Sequence, residues 1–247
     1  MQEISMLEAF GFSDPGCVRS NNEDYFINDA AREIFILADG MGGAAGGEFA
    51  SQLSVEKVYQ SLTAAGNGNM SVEDAFVAAH NYVQQAAIAT PDLDGMATTL
   101  LLARAIERNG SNGVKFEVAS VGDSRAYHHH AGALDLLTRD QTWVVEVGSR
   151  LGLSEEELKT HYLRHVLTMA VGIKKEVLRV FSCTVDLSVG DQILLCSDGL
   201  HGVVSEKILL EALESEKTIA DKCHYLVDAA KEAGGPDNIT VLLVRVT

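Results

Sequence analysis

Short apolar runs, cut by turn residues, alternate along this chain with helical stripes. Residues 4–12, 25–28 and 33–38 read as strands. Residues 48–63 predict a helix, because Val55, Val58, Tyr59 and Leu62 recur at helical spacing. Gly66 to Asn69 break it, and Ser71-x-x-Asp74 opens a second helix with a capping-box pattern. Its stripe is Val72, Ala75, Phe76 and Ala79. After Pro91, residues 97–107, 114–121, 124–129 and 133–137 are short and β-rich. Asn109-Gly110, Gly122-Asp123 and Ala131-Gly132 separate them, which reads as an antiparallel meander. Residues 141–165 are polar and helical, with a second capping box at Ser154-x-x-Glu157. Strands return at 177–185 and 191–197. A last helix over 218–233 puts Cys223, Leu226, Val227 and Ala230 on one face, with Gly234 as its C-cap. Residues 239–246 close the pattern as a strand. Strands come in clusters, not in alternation with helices, so the expected class is α+β, with sheet on sheet and amphipathic helices outside. Nothing resembles an interdomain linker, and residues 1–247 read as one domain.

Composition narrows the partners. The 247 residues carry 19 basic and 35 acidic side chains, a net charge of −16. So acidic a surface repels phosphate backbones, which argues against nucleic acid. Cys17, Cys183, Cys196 and Cys223 are far apart and form no CxxC, so neither a disulfide framework nor a zinc site is expected. Met1 to Phe10 lacks a basic n-region and a long apolar h-region, and no stretch has the length of a membrane span. The expected home is a reducing cytoplasm, with no membrane partner and a monomer as the default.

Two Asp-Gly pairs stand at the ends of apolar runs: Asp39-Gly40 after Ile34–Ala38, and Asp198-Gly199 after Ile193–Ser197. Either alone is an ordinary turn dipeptide. Brought together, they would offer carboxylates and a free carbonyl to a hard divalent cation. The glycine-rich stretch Asp39–Glu48 invites a nucleotide reading, and fails it. Gly40-x-Gly42-x-x-Ala45 lacks the following strand with a ribose-binding acid, and Gly42-x-x-x-x-Gly47 has Glu48 where a P-loop needs lysine. The glycines fit better as a close backbone approach to metal and substrate.

Arg19 precedes the triplet Asn22-Glu23-Asp24, just before a strand. This is either a polar loop with an internal ion pair, or Glu23 for a metal and Arg19 for a substrate oxyanion. Asp123 lies between two strands and Asp237 at a strand entry, each a turn residue when taken alone. Glu23, Asp39, Asp198 and Asp237 all sit at strand ends. Two like charges ~4 Å apart repel by about 4 kcal/mol at an effective dielectric of 20. Either the four stay apart, or cations hold them, and all-oxygen ligation points to Mn²⁺ or Mg²⁺.

The ordered set Arg19-x-x-x-Glu23-Asp24, Asp39-Gly40-Met41-Gly42-Gly43, Gly95-x-x-Thr98-Thr99, Gly122-Asp123-Ser124-Arg125, Ser197-Asp198-Gly199 and Gly235-x-Asp237-Asn238 resembles the metal-dependent (type 2C) Ser/Thr protein phosphatases, in their bacterial branch. The resemblance spans nearly the whole chain. It implies two packed antiparallel sheets flanked by helix pairs, with a two-metal centre at one end. It implies that Asp39 bridges two Mn²⁺ or Mg²⁺ ions. Glu23 and the Gly40 carbonyl would complete one, and Asp198 and Asp237 the other. Asp24 would act through waters, Asp123 would serve a third, weaker ion, and Arg19 would bind the substrate phosphate. A hydroxide bridging the metals would attack phosphorus directly, without a phosphoenzyme.

Three departures from the family pattern bear on this reading. Met41 stands where eukaryotic relatives carry a histidine proposed as general acid; bacterial relatives commonly have Met. His201, close after Asp198-Gly199, is a candidate to protonate the leaving oxygen, or only a structural histidine. Residues 141–172 match the family's flap in part: His161 and Arg164 fit, whereas Tyr162 and His165 replace proline and asparagine. His128-His129-His130 is expected as an exposed strand end with side chains on opposite faces. The leading reading is a phosphatase for phosphoserine and phosphothreonine on proteins, opposing a bacterial Ser/Thr kinase. The alternatives are a phosphoprotein-binding pseudophosphatase and a narrow partner-switching phosphatase.

Overall fold

The computed structural model describes residues 6–42, 46–64, 70–108, 113–175 and 177–247. Gly43 to Ala45, the Gly66–Asn69 break and the Asn109-Gly110 turn lie outside the described residues. The apolar runs form two antiparallel sheets. One has the order β1 (Leu7–Asp14), β11 (Ile239–Val246), β10 (Gln192–Cys196), β7 (Arg125–His130), β8 (Ala133–Leu136). The other runs β2 (Asp24–Asp29), β3 (Ile34–Met41), β5 (Leu100–Arg108), β6 (Gly113–Val121), β9 (Phe181–Ser188). A two-residue β4 (Ala97–Thr98) pairs with the end of β3.

Alternation along each strand builds three apolar layers. In β3, Phe35 and Leu37 pack between the sheets, while Ile36 and Ala38 face helices α1 (Gly46–Thr63) and α2 (Val72–Ala89). In β11, Leu242 and Val244 face the other sheet, while Val241 and Leu243 face α6 (Glu206–Glu214) and α7 (Ile219–Glu232). Both faces of each central strand are therefore covered, which is why these strands read as unbroken apolar runs. Helix pairs flank the sandwich as expected from the resemblance: α1 packs on α2, and α6 on α7.

Three expectations need correction. Residues 97–137 are not one meander. β5 and β6 pair in one sheet and β7 and β8 in the other, with the chain crossing between sheets at residues 122–124. Strands buried on both faces carry no mark of which sheet they join. The segment 141–165 is not one helix but α3 (Trp143–Glu146), a 3-10 turn and α4 (Glu155–Thr160), interrupted where Gly152 takes φ +76°. The strand expected from 177 starts at Phe181. The sequence reading also missed α5 (Asp198–His201) and α6, although Leu209, Ala212 and Leu213 carry a helical stripe behind the N-cap Ser205.

Candidate active site

Strand ends and loops from both sheets meet at one end of the sandwich. They line a cavity of about 790 Å³ with Arg19, Glu23, Asp39, Gly40, Asp123, Asp198 and Asp237. Asp39 and Gly40 come from the end of β3, and Asp198 opens α5 directly after β10. Glu23 precedes β2, Asp237 precedes β11, and Asp123 sits on the sheet crossing. Asp24, the first residue of β2, is the register partner of Asp39 and is buried behind it.

Each position is fixed by local hydrogen bonds. Asn238 ties the Glu23 loop to β11: its Oδ1 accepts from the Glu23 N–H at 2.8 Å, and its Nδ2 donates to the carbonyls of Asn21 (2.8 Å) and Pro15 (3.1 Å). The Gly40 N–H donates to the Glu23 carbonyl at 3.1 Å. A Cβ at Gly40 would lie 2.1 Å from the Gly47 carbonyl oxygen, so only glycine fits there. The Asp39 N–H donates to Thr99 Oγ1 at 2.9 Å, and its carbonyl accepts from Thr98 Oγ1 at 2.8 Å. Thr99 Oγ1 in turn meets Ser124 Oγ at 2.7 Å. Asp24 Oδ2 accepts from Ser197 Oγ (2.8 Å) and Thr240 Oγ1 (2.6 Å). The motif pattern contained Thr98, Thr99, Ser197 and Asn238, but spacing alone did not show them as the props of the acidic residues. Ser13 and Thr240, joined at 2.7 Å, carried no sequence signal.

Burial and mutual repulsion make Asp24, Asp39, Asp123 and Asp198 hard to ionise. Burial pushes Asp24 up to about 7, against its two hydroxyl donors and with Asp198 and Asp237 adding to the rise. Asp39 is held well above the carboxylate range by burial and by its acidic neighbours, Asp24 first among them. Asp123 rises to about 8 through burial, then Asp198 and Asp140. Asp198 rises through burial and Asp237, with a hydrogen bond from Asp39 offsetting part of it. Among the described residues, Asp24 Oδ1 is buried without a hydrogen-bond partner. No three acidic, imidazole or thiol groups among them stand close enough together to hold one ion in this arrangement, although five carboxylates line the cavity. A carboxylate-dominated donor set with an unsatisfied buried oxygen suits hard cations bound through oxygen and water.

Arg19 faces these carboxylates. Its Nη2 donates to Asp237 Oδ2 at 2.8 Å, and its side chain stays half exposed at the cavity wall. Met41 lines the cavity, as do Arg164 and His165 of the flap segment. His161, expected in the flap motif, stacks on Trp143 (centroids 4.6 Å, 11° between planes), and Tyr162 stacks on His161. His201 does not line the carboxylate cavity. Its Nε2 lies 3.0 Å from the Asp123 carbonyl, and burial, then Arg125, push it down to about 4. A ring already donating to a backbone carbonyl has no free N–H for a leaving group, so the geometry gives His201 the structural alternative: it braces Asp123.

The histidine run alternates as expected, yet it is not simply exposed. His128 is buried against Asp191 at 3.2 Å, His130 pairs with Asp135 at 2.8 Å, and His129 Nδ1 meets Gln192 Nε2 at 3.0 Å. The four cysteines are free, with Cys196 and Cys223 buried.

Comparison with known proteins agrees with this geometry. The family model "Protein phosphatase 2C" matches residues 18–243. The chain is 37% identical over 236 residues to the serine/threonine protein phosphatase PstP of Mycobacterium tuberculosis, covering 95% of this chain but 44% of that protein. It thus spans under half the length of that relative. It is 33% identical to the serine/threonine phosphatase stp of Listeria innocua, covering 94% of this chain and 93% of that one. The solved catalytic domain of PstP in complex with two manganese ions superposes with a TM-score of 0.84 at 32% identity, covering 98% of this chain and 99% of that one. The ordered acidic motifs, the paired sheets and the match across most of its length place this chain in the protein phosphatase 2C family.

Proposed function

We propose that this protein is a metal-dependent serine/threonine protein phosphatase that hydrolyses phosphoserine and phosphothreonine on proteins. One observation carries the reading: Glu23, Asp39, Asp198 and Asp237 reach a single cavity from four separate stretches of chain, with Arg19 facing them. Asp39 would be shared between two ions, with Glu23 and the Gly40 carbonyl on one side and Asp198 and Asp237 on the other. Asp24 would act through waters, and Asp123 would hold a third, weaker ion. Mn²⁺ is supported by the two manganese ions in the PstP catalytic domain, and Mg²⁺ by the same oxygen-donor chemistry. Bound there, such ions would lower the pKa of water and neutralise charge on the phosphoryl oxygens.

The protein's own groups do the rest. Arg19 would turn from Asp237 to grip two phosphoryl oxygens with its fork, placing phosphorus over the acidic ring. Its charge would then stabilise the negative charge shared by the equatorial oxygens as the ester bond breaks. Asn238, Thr98 and Thr99 hold the ring's backbone, so the site needs little rearrangement at the moment of reaction. Cys196 is buried and its thiol is pushed up to about 12, which disqualifies it as a nucleophile.

We read residues 1–247 as one phosphatase domain with a flap at about 141–172, supported by an apolar layer drawn from strands of both sheets. Among the described residues no helix is long and apolar enough to cross a membrane. A cytoplasmic monomer opposing a Ser/Thr kinase is the setting we infer. The test is Mn²⁺-dependent hydrolysis of p-nitrophenyl phosphate and of a phosphothreonine peptide, with Asp39→Asn and Asp237→Asn as controls. Turnover lost in both variants supports the reading. A parent protein that binds phosphopeptide without metal-dependent turnover would be a pseudophosphatase, and turnover indifferent to Asp39→Asn would place the site elsewhere.

A further inference from the structure

A second cavity of about 580 Å³ opens off the acidic one, beneath α3 and α4. Asp123, Asp198, Arg164, His165 and Gly202 line both, so the two form one continuous recess. Its volume falls within the ~300–1,000 Å³ of ordinary ligand pockets. Val144 and Val145 of α3 and Leu158 of α4 give it an apolar wall. Arg125, Asp140 and His201 in its lining are already engaged. Arg125 donates from Nε to Asp140 Oδ1 (3.0 Å), from Nη2 to Asp140 Oδ2 (2.7 Å) and from Nη1 to the Tyr127 hydroxyl (3.0 Å). His201 Nε2 is held by the Asp123 carbonyl.

We propose that this recess is the subsite for an apolar side chain of the phosphoprotein substrate, standing within two residues of the phosphorylated serine or threonine; the inference rests on the phosphatase reading above. Continuity with the acidic cavity limits the distance, since the two cavities share Asp123 and Asp198 and two extended residues span at most about 7 Å. The engaged groups fix the chemistry. A basic side chain would find Asp140 already forked by Arg125, and Asp123 and Asp198, on the phosphatase reading, given to cations. An acidic one would find Arg125 committed to Asp140, with only Arg164 and His165 left to receive it. An apolar one needs no partner and removes the valine and leucine wall from water.

The test is a set of phosphothreonine peptides carrying Leu, Lys, Glu or Gly at each of the two positions on either side, assayed with Mn²⁺. The parent should prefer Leu to Gly at one of these positions by about 10-fold in kcat/KM. In Val145→Asp and in Leu158→Asp that ratio should fall to near one. Because it is a ratio within one enzyme preparation, loss of folded protein cancels. A flat series in the parent, a preference for Lys or Glu, or a Leu preference that survives both substitutions overturns the subsite. p-Nitrophenyl phosphate, too small to fill the recess, separates the two failures. If the peptides are hydrolysed but the series is flat, only the subsite falls; if p-nitrophenyl phosphate alone is hydrolysed, the protein-phosphatase reading falls with it. If the parent hydrolyses neither substrate with Mn²⁺, the phosphatase reading falls and takes the subsite with it.

Discussion

Arg19 Nη2 donates to Asp237 Oδ2 at 2.8 Å, joining a loop near the start of the chain to one near its end. The pair places the guanidinium at the rim of the acidic ring, where a phosphoryl group would arrive. Arg19→Ala should lower kcat/KM for a phosphothreonine peptide by about 10- to 100-fold, the worth of charge-assisted hydrogen bonds. Arg19→Lys should recover only part of this, because an ammonium cannot make the two-pronged contact. Steady-state kinetics on the three proteins decides it. Equal rates in the parent and Arg19→Ala would remove Arg19 from the site.

Asp24 is a liability in the protein without metal: its carboxyl is buried, raised to about 7 and half satisfied. Asp24→Asn removes the charge and keeps the shape. Without added metal its Tm should rise by about 2–4 °C, the shift expected for ~1 kcal/mol in a domain of this size. Its half-activating Mn²⁺ concentration should rise about 10-fold, as for groups that support ligands through water. Thermal scans and Mn²⁺ titrations read the two effects separately. A lower Tm with an unchanged Mn²⁺ requirement would mean that Asp24 serves folding alone.

Asn238 makes three side-chain hydrogen bonds that fasten the Glu23 loop. At about 1 kcal/mol each, Asn238→Ala should cost roughly 3 kcal/mol and lower Tm by about 6–12 °C. Mn²⁺ affinity should weaken with it, because the Glu23 backbone loses its anchor. An unchanged Tm would show that the loop is held by other contacts.

The flap is tied down by Glu146. Arg179 donates to both its oxygens (2.9 and 2.8 Å), and Thr168 Oγ1 donates at 2.6 Å. The Arg179 hydrogen bonds hold the Glu146 carboxyl below its usual range, against burial and helped by Thr168. A carboxyl depressed in the folded state stabilises above its unfolded pKa of about 4.3 and loses that contribution as pH falls through the folded value. Hydrogen-exchange protection of residues 143–168 should therefore hold from neutral pH to about 5 and decline below about 4. In Glu146→Gln it should be low at neutral pH and nearly flat. A parent-like pH dependence in that variant would assign the effect to another group.

The apolar pattern revealed most strands and three of the helices because each follows from local spacing. Val55, Val58 and Tyr59 share one face in a helix, and the run 34–38 has the unbroken apolar character of a strand covered on both sides. What the pattern could not show was assignment between sheets. β6 and β7 look like neighbours in sequence, yet the chain crosses sheets at Asp123, and this crossing carries Asp123 to the acidic end. The acidic residues themselves were legible as an ordered set. Their supports were not: Thr240 reaches Asp24 from 216 positions away, and no spacing rule spans such a gap. His201 looked chemical by its nearness to Asp198, but the direction of its ring is set by the Asp123 carbonyl, which only the fold reveals.

Carboxylates from distant strands, sharing hard cations, are the centre of the proposed chemistry. Anomalous diffraction from crystals grown with Mn²⁺, recorded on both sides of the manganese edge, measures this directly. Two strong peaks among Glu23, Asp39, Asp198 and Asp237, both lost in Asp39→Asn, are the predicted result. Crystals that diffract well and show no manganese peak in that cavity would contradict it.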